Sequence, residues 1–94
     1  MMEKIIKVAH NSDVNKLAGS ITISLYNDKM VIVQAIGKDS VNQAVKAIIS
    51  ARRYLAPNSH DLIVYPSFKV LDLDNQEKTA IRFYIELTSA LSKK

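Results

Sequence analysis

The spacing of apolar positions changes several times along this chain, and each change marks a new element. Ile5, Ile6 and Val8 lie between Lys4 and Lys7, so Glu3 to Ala9 is expected to be a strand. Val14, Leu17, Ala18, Ile21 and Leu25 then recur at helical spacing, which predicts a helix running to about Asn27 with Ser12 as its N-cap. Met30 to Ile36 is an apolar, β-branched run suited to a strand buried on both faces, and Gly37 ends it where the backbone can turn or approach a ligand closely. Ser40-Val41-Asn42-Gln43 has the form of a capping box. It predicts a second helix from about Val41 to Leu55, with Val41, Ala44, Val45, Ile48 and Leu55 as the core stripe and Ala56-Pro57-Asn58 as the stop.

The remaining pattern is strand-like. Asp61 to about Leu73 predicts a third strand in which Pro66, having no amide hydrogen, requires an edge or a bulge. Asp74-Asn75-Gln76-Glu77 is the expected turn, and in the returning strand Ile81, Phe83, Ile85 and Leu87 alternate with Arg82, Tyr84 and Glu86. From Ser89 to Lys94 the tail either extends that strand or frays. The order β-α-β-α-β-β, with right-handed crossovers, predicts an α/β two-layer sandwich in which both helices cover one face of a four-stranded mixed sheet.

Two helix flanks carry apolar residues outside these stripes. Gly19, Ile23 and Tyr26 on the first, and Ala47, Ala51 and Tyr54 on the second, are expected either to accept a neighbouring subunit or to be scattered surface positions.

Composition narrows the class. At 94 residues, 48% hydrophobic and 23% charged, the chain has the size and balance of one globular domain. Met1 to Val8 alternates charges with isoleucines instead of forming a signal peptide, and no apolar run reaches the roughly 18 residues of a membrane span, so the cytosol is the expected location. Without cysteine there is no disulfide framework and no thiolate metal site. The formal charge of +4 favours polyanions without requiring them. Lys46, Arg52 and Arg53 fall on the second helix with no acid after Asp39, whereas Asp72, Asp74 and Glu77 gather at the hairpin tip, where they would repel phosphate.

Candidate chemistry concentrates at one place. Gly37 and Lys38 stand beside a helix N-terminus, whose free amides and dipole favour anions; the pair either holds a phosphate or is a simple turn with a solvated lysine. Catalysis finds little to work with. His10 and His60 are the only imidazoles, and no nucleophile elbow, helical His pair or full Walker loop is present. No catalytic residue, metal, cofactor or small-molecule substrate is assigned. Of the aromatic residues, only Tyr65 and Tyr84 have a register that could place them together on an outer sheet face, with core packing as the alternative.

The blocks QAIG and, after four residues, NQAVKA, between Gln34 and Ala47, closely resemble the signature of the stage V sporulation protein S (SpoVS) family. Lys7-Val8 and Leu17-Ala18-Gly19 resemble its start; Leu55-Ala56-Pro57, Asp61-Leu62-Ile63, Pro66-Ser67-Phe68 and Glu77-Lys78-Thr79-Ala80-Ile81 resemble its later blocks, in order. Members of that family look like small Alba-type proteins, and the Gly37-Lys38 step followed by Ala44-Val45 is similar to Alba's second helix region. The resemblance implies an α/β domain that forms a homodimer or higher oligomer, binds DNA or RNA, and acts in regulation. Two departures stand out: His10-Asn11 occupies a loop in which relatives tend to carry lysine, and Tyr26-Asn27-Asp28-Lys29 replaces a more basic or glycine-containing helix end. The expected nucleic-acid contacts are Gly37, Lys38, Asn42, Lys46 and Arg53, with Lys69 and Arg82 added from the hairpin. An interaction module that docks a protein partner is the competing reading.

Overall fold

The computed structural model describes residues 3–90. Its elements follow in the order β1 (Ile5–Val8), α1 (Val14–Asp28), β2 (Met30–Ala35), α2 (Lys38–Leu55), a 3-10 turn (Ala56–Asn58), β3 (His60–Leu73) and β4 (Gln76–Ser89). The sheet order is β1-β2-β4-β3, with β1 parallel to β2 and the other two contacts antiparallel. This is the expected mixed four-stranded sheet. Pro66 sits on β3, an edge strand, where a missing amide hydrogen costs no ladder bond. The tail beyond Ala90 lies outside the described residues.

Both helices draw their core from the same sheet face. Val31, Val33 and Ala35 of β2 and Phe83 and Ile85 of β4 are in register on that face and form one cluster with Leu17, Ala18, Ile21 and Leu25 of α1 and with α2. Ile21, Leu25, Leu55 and Ile85 are wholly withdrawn from solvent, and each contributes about 1.5–3 kcal/mol through burial. β2 is buried on both faces from Val31 to Ala35, as its mostly apolar sequence leads one to expect, and the polar Gln34 is buried with it.

The sequence pattern misplaces one detail on α2. Its contact stripe is Ser40, Ala44, Ala47, Ile48, Ala51 and Leu55, whereas Val45 is exposed. Ala47 and Ala51 are therefore not a docking flank for another subunit. They are fully buried, and their small side chains let α2 pack closely within its own core.

Both expected caps also move. Asp13, not Ser12, caps α1: its carboxylate Oδ1 accepts from the amides of Asn15 at 2.9 Å and Lys16 at 3.1 Å. Ser12 instead closes the preceding loop, its hydroxyl accepting from the Ala9 amide. The capping box does not form, because α2 begins two residues before Ser40 and puts that residue inside the helix. Gly37 is the N-cap, at φ 88° and ψ 156°, a conformation open essentially to glycine alone. Gln43, freed from capping, donates through Nε2 to the Ser12 carbonyl at 2.8 Å and fastens α2 to the β1–α1 loop.

The turn between β3 and β4 is shorter than expected. Only Asp74 and Asn75 are unpaired, both at positive φ (51° and 63°), as a type I′ hairpin turn demands of residues that tolerate the left-handed region. Gln76 and Glu77 already belong to β4. Since β2 pairs β4 only from Met30↔Glu86 to Ala35↔Ile81, the hairpin beyond Ile81 projects as a two-stranded arm. The molecule is accordingly elongated, 47 Å by 29 Å by 24 Å.

Candidate nucleic-acid interface

The parallel strands β1 and β2 end at the same edge of the sheet, since Val8 pairs with Ala35. Their connections to α1 and α2 leave from that edge, where ligands of open α/β sheets commonly bind. Gln43 ties α2 to the first of these connections. The hairpin arm also departs there, because Ile81 pairs with Ala35 and is followed outward by Lys69↔Ala80.

Gly37 gives α2 an unusual start. No side chain caps this helix; Val41 makes the first intrahelical amide bond, to the Gly37 carbonyl at 3.0 Å. The amides of Lys38, Asp39 and Ser40 thus occupy the turn whose donors an α-helix cannot satisfy internally, and the helix dipole adds a partial positive charge. Asp39 in that turn interacts favourably with the dipole, and Lys38 supplies a full positive charge beside it.

From this end a polar stripe follows α2. At 100° per residue, Lys38, Asn42, Lys46, Ile49 and Arg53 fall within one narrow exposed sector that spans about 22 Å. Arg52 lies outside the sector and is already engaged. Its Nε and Nη2 donate to the two carboxylate oxygens of Asp61 at 2.8 and 2.9 Å, tying the end of α2 to the start of β3. The hydrogen bonds to Asp61, and then that carboxylate's charge, raise the Arg52 pKa above its ordinary value.

Lys69 and Arg82 do not join the stripe. By alternation along β3 and β4 they lie on the sheet face turned away from the helices, with Lys7, Gln34 and Ser67 in the same register as Arg82. The seven expected contact residues therefore divide between a helix surface and the opposite sheet face. Of the three acids expected to repel phosphate, Asp74 stays in the turn, while Asp72 and Glu77 oppose each other on the helix-side face of the arm and Lys69, Lys78 and Arg82 share the other face. Lys7 and Gln34 were not associated with Arg82 from the sequence; what joins them is the register across the three strands β1, β2 and β4.

The two histidines share no site. His10 follows the C-terminal end of β1, whereas His60 pairs with Ser89 at the opposite end of the sheet, its ring edge-on to Tyr26 at 5.5 Å. Asn58 Nδ2 donates to that tyrosine's hydroxyl at 3.0 Å, which makes this corner a structural contact. Among the described residues no helix is long and apolar enough to cross a membrane.

Comparison with known proteins agrees with this architecture. Alba from Thermoplasma volcanium superposes with a TM-score of 0.59 over 90% of this chain and 99% of its own, at 17% sequence identity, and so shares the fold. The family described as Stage V sporulation protein S (SpoVS) matches residues 4–88, taking in both crossovers, the glycine-started second helix and the hairpin. A match over nearly the whole chain makes this protein a member of the SpoVS family, with an Alba fold.

Proposed function

We propose that this protein is a cytoplasmic regulator that binds nucleic acid by its phosphate backbone and works as a homodimer or higher oligomer. The observation that carries the reading is the exposed stripe of Lys38, Asn42, Lys46 and Arg53, which begins at a helix N-terminus with no side-chain cap. Amides and dipole at the helix end favour one phosphate, and the cations behind it extend contact along the backbone. Gly37 leaves the approach open, because a Cβ built there would meet nothing within 4 Å. Such contacts position the protein without reading bases, so sequence preference is expected to be slight. The family resemblance supports the same reading, as does the formal charge of +4.

The test is duplex binding by the Lys38→Ala/Lys46→Ala variant. Affinity is expected to fall similarly for unrelated sequences; unchanged affinity overturns the assignment. A second reading, a module that docks a protein partner, draws on the exposure of Ile23, Ile49 and Tyr54 on the helices. It is favoured if the purified protein binds no polyanion at low salt.

A further inference from the structure

We propose that the helix-free face of the sheet is a second nucleic-acid surface, specific for single strands, on which Tyr84 and Tyr65 stack unpaired bases. The proposal rests on the reading of the protein as a nucleic-acid binder but uses residues on the opposite side of the sheet from the α2 stripe. Two adjacent rows cross all four strands on this face. Ile5, Ile32, Tyr84 and Tyr65 form one; Lys7, Gln34, Arg82 and Ser67 form the next, roughly 7 Å further along. The tyrosines are directly opposed on neighbouring strands, which puts their Cβ atoms about 5 Å apart. Tyr65 is 53% exposed on the edge strand, so it is not the core residue that packing alone would predict.

The cationic row is built, not incidental. Gln34 is 7% exposed, and its Oε1 accepts from Arg82 Nε at 2.8 Å, which fixes the guanidinium on the face. The terminal nitrogens of Arg82 have no partner among the described residues. The arm coils toward this row, and Leu71 and Leu73 join Ile5, Lys7, Ile36 and Arg82 around a cleft of about 350 Å³. Aromatic rings beside a row that carries two cations, Lys7 and Arg82, suit the bases and phosphates of a single strand, whereas a duplex hides its base faces. Lys69 and Lys78 continue the positive charge along the same face of the arm. Glu86, in register with Met30 and Ile63, bounds the platform at its other end.

The experiment measures fluorescence anisotropy of a labelled 12-nucleotide single strand and of a 12-base-pair duplex with the full chain. Tyr65→Ala/Tyr84→Ala should weaken single-strand binding at least tenfold and leave duplex binding within twofold. Tyr65→Phe/Tyr84→Phe, which keeps both rings, should bind as the native protein does. Tyr65→Ala alone, at an exposed edge position, should give roughly a fivefold or greater loss and serves if the double variant does not fold. Unchanged single-strand affinity in the alanine variants overturns the proposal, as does a drop in oligomer mass by sedimentation, which would assign this face to a second copy of the chain. If the native protein binds neither polymer, the proposed function itself falls; if it binds both and only the tyrosine variants have no effect, this inference alone falls.

Discussion

Replacing each of the two glycines by alanine should move stability in opposite directions. A Cβ built at either Gly19 or Gly37 meets nothing within 4 Å, so contacts with neighbours do not separate them. Backbone conformation does. Gly19 lies inside α1, where alanine is the better helix former and also restricts the unfolded chain, so Gly19→Ala should stabilise by about 0.4–1 kcal/mol. Gly37 holds φ 88° and ψ 156°, and an L side chain there costs about 1–3 kcal/mol. If the 36–37 backbone rotates to relieve this strain, the Lys38 to Ser40 amides turn with it, and Gly37→Ala should then also weaken nucleic-acid binding. Urea denaturation with a shared slope gives both values. Shifts of the same sign in the two variants would refute the assigned conformation of Gly37.

Two further substitutions test the local structure. Asp13→Ala removes the acceptor for two first-turn amides of α1 and should cost about 1 kcal/mol by the same denaturation assay; no loss would return the cap to Ser12. Arg52→Ala breaks the bidentate pair with Asp61, but Arg52 is 53% exposed and solvent screens the interaction, so the expected loss is no more than about 1 kcal/mol. Because Arg52 lies outside the stripe, Arg52→Ala should leave duplex affinity nearly unchanged, and a loss as large as that of Lys38→Ala/Lys46→Ala would contradict its structural role.

Period alone carried most of the fold. The alternation of Ile81, Phe83, Ile85 and Leu87 marks the core face of β4, the run from Met30 marks a strand covered on both sides, and Pro66 marks an edge. Local polar signals were less decisive, because several side chains compete for the same job. Ser12 and Asp13 are both competent caps, and the carboxylate takes the helix while the hydroxyl takes the loop. Ser40 and Gln43 fit a capping box, yet glycine's freedom at position 37 lets α2 start earlier, so Gln43 bonds to another loop. The buried roles of Ala47 and Ala51 were hidden because Val45 offers more apolar surface at nearly the same spacing. The division of the basic residues between two faces depends on the register of β1, β2 and β4, strands far apart in the chain, which no local pattern specifies.

The most direct test of phosphate-backbone binding is the salt dependence of duplex affinity for the native protein beside Lys38→Ala/Lys46→Ala. Three cations on the stripe predict a log–log slope of magnitude about 2.7 or more per chain, and the variant's slope should be smaller by about 1.8. A flat salt response, or equal slopes for the two proteins, would contradict the account.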